Sequence, residues 1–322
     1  MVAYAIGCQT LPPYAHRYSP RKFTLPQLFA CLVLKEFLRC DYRKLEKTLA
    51  DSPSWLELVG LKQAPHFTTL HKAAKRLMQS DKARRLLDRT VREAHACGRL
   101  KRKVLLAAMD GTGWESHHAS VYYVRRCAKG QKTKQELTYR RFPKAGLISD
   151  TATHLILGIV PERGPGPDIL HFDSLLRQAL SRTPIATLAA DAGYDAEHTH
   201  WLARYVLRVR TLIPPKIGRP TKDKPRGYWR RKMAERLHLT RYSQRWQSET
   251  VNSMLKRLQG SALRARTDES QSRELVLRAL THNIMILRRT KVFDRAQGVD
   301  LDYVSCREIP SIPPLAAKSS SA

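Results

Sequence analysis

Along the first hundred residues, apolar side chains recur every three or four positions, the spacing of helices with one buried face. LPQLFACLVLKEFL follows Thr24, a residue suited to capping a helix; YRKLEKTLA, FTTLHKAAKRLM after His66 and KARRLLDRTVREAHA after Asp81 repeat the pattern. Between the second and third, DSPSWLELVGLKQAPH holds two prolines and a glycine and reads as a loop with a short turn. After residue 100 the period changes. KVLLAAMD (103–110) is a continuous apolar run, as in a strand covered on both faces, and it stops at Asp110, with Gly111 and Gly113 beyond. SVYYVRR and THLILGIV predict two more strands, and PERGPGP a rigid turn before the helix DILHFDSLLRQAL. IATLAAD (185–191) repeats the apolar run that ends on an aspartate, Asp195 predicts the cap of a helix over AEHTHWLARYVL, and VRTLIPP predicts a fifth strand. The order predicts an α/β chain: a mixed sheet flanked by helices at 101–290, an all-α N-terminal domain at 1–100, and a disordered tail at 291–322.

One later stretch, RYSQRWQSETVNSMLKRLQG (241–260), separates its side chains by chemistry. At about 100° per residue, Tyr242, Arg245, Trp246, Glu249, Ser253 and Lys256 share one side, and Val251, Met254, Leu255 and Leu258 the other. The aliphatic stripe predicts docking on a core, which leaves a carboxylate, two cations, a phenol and an indole together on the free side.

The composition says what such a face would meet. Among 322 residues, 58 Lys and Arg stand against 28 Asp and Glu, a formal net charge of +30. A compact fold with that excess repels itself unless it partners a polyanion, and nucleic acid is the commonest one. A membrane partner fits less well. The basic residues are spread along the whole length, and the longest apolar run, LFACLVL (28–34), is broken by Lys35 and too short to span. MVAYAIGCQTLPPY lacks the basic start and apolar run of a signal peptide. The six cysteines form no CxxC pair, which predicts reduced thiols and a cytoplasmic setting, and the His117-His118 and His198/His200 pairs read as ordinary surface or turn histidines.

Two basic regions are candidates for that partner. A loop at 214–238 carries Lys216, Arg219, Lys222, Lys224, Arg226, Arg230, Arg231, Lys232 and Arg236, with Tyr228 and Trp229 among them to offer ring faces for bases. The third N-terminal helix would expose Thr68, Thr69, His71, Lys72 and Lys75, as a DNA-reading helix does, but the same pattern suits a plain helical bundle.

If the two runs that end on aspartate lie side by side and parallel, Asp110 and Asp191 meet at the carboxyl edge of the sheet. Two carboxylates that close call for a cation. Mg²⁺ or Mn²⁺ is the natural one, and Glu249 would add the third carboxylate of a site for two ions acting on a phosphodiester.

At these residues the sequence resembles the DDE transposases of bacterial insertion sequences, in the group marked by Tyr, two residues, Arg, three residues, Glu, six residues, Lys. Tyr242, Arg245, Glu249 and Lys256 fit that spacing without a gap, and MDGTG around Asp110, ADAGYD around Asp191, YYVRR and SALRART extend the likeness over about 20–290. The resemblance implies a ribonuclease H-like catalytic domain with Asp110, Asp191 and Glu249 as metal-binding and catalytic triad. It further implies that Tyr242, Arg245 and Lys256 contact phosphates beside the cut, and that Trp246 stacks on an extruded base. The implied partners are double-stranded DNA, as terminal inverted repeats and target, and a second copy in a homodimer on that DNA, in the bacterial cytoplasm at the nucleoid. A nuclease that cuts without joining, and a DNA-binding protein without chemistry, remain the alternatives.

Overall fold

A computed structural model describes residues 1–116, 142–164, 166–216 and 225–296. The N-terminal region is all helical: α1 (Val2–Thr10), α2 (Leu25–Phe37), α3 (Tyr42–Ala50), α4 (Pro53–Leu58), α5 (Phe67–Leu77) and α6 (Ser80–Ala96). Thr24 caps α2 through a reciprocal box. Gln27 N–H donates to Thr24 Oγ1 at 3.4 Å and Thr24 N–H donates to Gln27 Oε1 at 2.8 Å. Helix α1 lies outside the sequence expectation, and α4 replaces the expected loop because Pro53 sits in its first turn, where a missing N–H costs nothing.

The strands are β1 (Ala107–Gly113), β2 (Glu115–Ser116), β3 (Phe142–Asp150), β4 (Ile156–Gly164), β5 (Thr187–Ala190), β6 (Arg210–Leu212) and β7 (Ala262–Leu263). Five of them form one mixed sheet in the order β4-β3-β1-β5-β6, antiparallel from β4 to β1 and parallel from β1 to β6. The later helices are α7 (Phe172–Leu180), α8 (Glu197–Trp201), α9 (Tyr228–Arg236), α10 (Leu239–Ser243), α11 (Trp246–Gln259) and α12 (Asp268–Ala296). This is the α/β architecture of a ribonuclease H-like domain, a mixed sheet flanked by helices behind an all-helical N-terminal region. Among the described residues no helix is long and apolar enough to cross a membrane.

Several elements differ from the pattern-based expectation. Strand β1 passes through Asp110 to Gly113 instead of stopping there. Its antiparallel neighbour is FPKAGLISD, which gave no strand signal because Pro143, Lys144, Gly146 and Asp150 interrupt the apolar pattern; tertiary cover buries them instead. The expected strand SVYYVRR lies outside the described residues. Pro161 continues β4 where a turn was expected, since β4 is an edge strand and tolerates a residue without an N–H. The basic 214–238 segment is not all loop: α9 occupies Tyr228–Arg236. Residues 291–296 continue α12, and the rest of the expected tail lies outside the described residues.

Facing directions follow from the register. Gly111 pairs with Gly146, and a Cβ on Gly146 would sit 2.7 Å from Leu175 of α7, so Gly111 looks toward α7. Asp110, one residue earlier, looks to the other face, where α11 packs.

The N-terminal helices and the sheet share one hydrophobic core, bridged by α12, which packs on α1, α2, α5, α6, β3 and β4. Arg278 of α12 lies at its centre with its side chain 2 % exposed. Its guanidinium pairs with Glu274 at 2.8 Å and with Glu36 of α2 at 3.6 Å, and donates to Gly260 O at 2.6 Å and Ala262 O at 2.7 Å. Removing one member of such a buried network strands the others. Arg278→Ala should therefore lower stability by about 3–5 kcal/mol, read as a drop in the denaturant midpoint; a change below about 1 kcal/mol would show that the network contributes no more than a surface pair.

Candidate active site

Parallel pairing of β1 with β5 sets Ala107 against Leu188, Ala108 against Ala189 and Met109 against Ala190. The next step of that register brings Asp110 beside Asp191 on one face of the sheet edge. Each Asp110 oxygen has a donor: Gly111 N–H reaches Oδ1 at 2.9 Å and Asn252 Nδ2 of α11 reaches Oδ2 at 2.9 Å. Burial first, and the Asp191 charge second, push the Asp110 carboxyl up to about 6. Asp191 caps the short 3₁₀ turn Ala192–Tyr194, its Oδ1 accepting Gly193 N–H at 2.9 Å.

The RYSQRWQSETVNSMLKRLQG stretch folds as two helices, α10 and α11, joined at Gln244 and Arg245 by a tight turn in which Arg245 N–H donates to Tyr242 O at 2.8 Å. Val251 and Leu255 are buried as the aliphatic stripe requires. Glu249 stays on the open side with Arg245, whose Nη2 sits 2.6 Å from Glu249 Oε1. That guanidinium's charge also acts against the rise of the Asp110 pKa and it contacts the Tyr242 phenol, so it stands among Asp110, Tyr242 and Glu249. Burial raises the Tyr242 pKa. Trp246 is 52 % exposed, and the Lys256 ammonium lies 5.8 Å over the buried ring of Trp114.

Glu249 is not gathered in with the two aspartates. Among the described residues no group of three or more His, Cys, Asp or Glu side chains could hold a metal ion. The aspartate pair nevertheless fits a divalent cation, since it sets carboxylate oxygens side by side at one edge, the hard oxygen donors such an ion takes.

The pattern along the chain did not foresee the other neighbours. Asp168, from the 3₁₀ turn before α7, packs over Gly111 so closely that a Cβ there would lie 2.2 Å from its Oδ1, which explains the glycine after Asp110. Lys144 holds Asp168 at 2.6 Å. Tyr194 is fully buried; the charges of Asp168, Asp110 and Asp191 act on its hydroxyl, which has no hydrogen-bond partner among the described residues. Asn252 was hidden because one Asn in a helix carries no spacing signal.

In the basic segment the roles divide. Arg230 spends its guanidinium on Asp195, at 2.8 Å from Nε and 2.7 Å from Nη2, and Asp195 therefore does not cap the next helix as expected. Glu197 accepts the backbone N–H groups of Trp229 and Arg230 at 3.1 and 3.2 Å, fixing the start of α9. Arg231 is exposed. Lys232 lies 4.4 Å over the Tyr228 ring and Arg204 4.1 Å over Trp229, and with Trp201 and Tyr205 these rings line an open cleft of about 550 Å³.

The ribonuclease H-like sheet thus carries two aspartates at its carboxyl edge, with the helix of Glu249 alongside. Residues 102–284, more than half of the chain, match the transposase DDE domain family, and the chain belongs to that family. Comparison with curated proteins returns no match.

The raised Asp110 pKa sets a pH dependence. The folded state holds this proton more tightly than the unfolded chain, so the stability it contributes is full below about pH 4 and is lost as pH rises through about 6. In metal-free buffer, Asp110→Asn should then be more stable than wild type at neutral pH by up to about 3 kcal/mol, at ~1.4 kcal/mol per pKa unit, with the gap closing near pH 4. Thermal melts across this range check it, and a pH-independent difference would contradict it.

Proposed function

We propose that the protein is the transposase of an insertion sequence, of the Tyr-Arg-Glu-Lys group, which binds the terminal inverted repeats, cuts the DNA strands there and joins the freed 3′ ends to target DNA. The observation that carries this reading is the aspartate pair at the sheet edge, with α11 alongside bearing Glu249. Asp110 and Asp191 would hold Mg²⁺ or Mn²⁺, with Glu249 as the third carboxylate of a site for two ions. When bound, such ions supply positive charge to the phosphodiester and favour the ionised form of the attacking hydroxyl.

The chain's own groups position the DNA. Arg245 is the natural phosphate ligand, bidentate and always charged, and a phosphate that draws it away releases Glu249 toward the aspartates. Tyr242 and Lys256 add contacts on the same side, and the exposed indole of Trp246 offers a face to an extruded base. Arg231, Lys232, Tyr228 and Trp229 would meet the backbone and bases further along, while Arg230 serves by holding α9 to Asp195. The protein would act as a homodimer on DNA, in the bacterial cytoplasm at the nucleoid.

Glu249→Gln should abolish Mg²⁺-dependent cleavage of terminal DNA while leaving binding close to wild type, because affinity comes from dispersed cations. Wild-type cleavage by the variant in a gel assay would take Glu249 out of the site. Neutralising Arg231 and Lys232 together should flatten the slope of log affinity against log salt by up to about 1.8, at ~0.9 per phosphate contact. An unchanged slope would mean that α9 stays clear of the DNA.

A further inference from the structure

We propose that Asn252 is a positioning residue of the carboxylate centre, whose amide fixes the orientation of Asp110 and sets where α11 carries Glu249. The inference rests on the reading of Asp110 as a cation-binding group. Of the two donors on Asp110, Gly111 N–H belongs to the same strand and is present wherever β1 forms. Asn252 Nδ2, at 2.9 Å from Oδ2, comes from a helix 142 residues away. The Asp110 carboxylate is thus held one oxygen by its own strand and one by the helix of Glu249.

Burial makes the amide telling. Asn252 is 8 % exposed, and its neighbours Val251 and Leu255, each 1 % exposed, press α11 onto the core. An aliphatic residue would fill such a place without the ~1–3 kcal/mol that an unpaired buried polar group costs. The amide nitrogen faces the carboxylate, since the amide oxygen there would oppose another oxygen, and Asn252 Oδ1 is left without a hydrogen-bond partner among the described residues. Glu249 precedes Asn252 by three positions, so the two are neighbours one turn apart. Loss of the anchor therefore frees Asp110 to rotate and α11 to shift, and both changes fall on cation binding.

Mn²⁺ binding to the full-length protein without DNA, followed by electron paramagnetic resonance, separates this role from plain packing. Wild type should bind Mn²⁺, and Asp110→Asn should remove that binding. Asn252→Leu, close in size but without a donor, should bind about tenfold or more weakly while melting within a few degrees of wild type. Asn252→Gln, which keeps an amide donor, should recover part of the affinity, and in cleavage assays both variants should lose kcat with little change in KM for DNA. A folded Asn252→Leu variant with wild-type Mn²⁺ affinity overturns the inference, as does a lowered melting temperature in both variants with no recovery by Gln. If wild type binds no Mn²⁺ that Asp110→Asn removes, the reading of Asp110 as a cation-binding group fails instead, and the inference falls with it.

Discussion

Two carboxylates on adjacent parallel strands cannot both carry charge in a partly dry cleft without a cation nearby, and the surroundings of Asp110 and Asp191 answer that constraint. The register from Ala107 to Met109 fixes them side by side. Hydrogen bonds from Gly111 and Asn252 satisfy the Asp110 oxygens but leave its pKa raised, because neutral donors offset burial and repulsion only in part. Arg245 supplies a positive charge that acts on Asp110, Glu249 and Tyr242 together. In the proposed function a phosphate would compete for that guanidinium and a divalent ion for the carboxylates, so the ion pair and the loaded site would draw on the same groups.

The site also depends on how α11 is held. At its start, Gln247 Oε1 meets His154 Nε2 at 2.6 Å, in a β3–β4 turn where His154 takes a φ of 63°. At its end, Arg39 donates to Leu258 O at 2.9 Å and to Arg257 O, so a cation from the end of α2 caps the negative end of the Glu249 helix. Arg278 then ties α12, the Gly260–Ala262 segment and Glu36 of α2 into one buried network. The N-terminal helices are in this sense part of the scaffold of the aspartate edge, whatever else their exposed basic residues Lys72 and Lys75 do.

The net charge of +30 is not uniformly available to DNA. Lys35, Lys144, Arg182, Arg230 and Arg278 are matched by Glu36, Asp168, Asp88, Asp195 and Glu274 inside the fold. Because acidic residues are the minority, each internal pair removes a larger fraction of the acids than of the bases, and the surface is left more one-sided than composition alone conveys.

The sequence by itself determined the helical start, the change to strands near residue 100, and the two apolar runs that end on Asp110 and Asp191, because continuous burial and helical periodicity are local patterns that water imposes on any chain. It also determined the sidedness of 241–260, with Val251 and Leu255 inward and Trp246 outward. Only the tertiary structure decided the rest. FPKAGLISD becomes a central strand because its neighbours cover its polar atoms, and Pro161 extends a strand because that strand lies at an edge. Arg230 turns inward because Asp195, thirty-five positions earlier, waits for it. Glu249 stays with Arg245, the cation four positions before it, apart from the aspartates, whereas Asn252 reaches Asp110 and Asp168 packs over Gly111 from distant segments, because such partners are chosen by distance in space, which no spacing along the chain records.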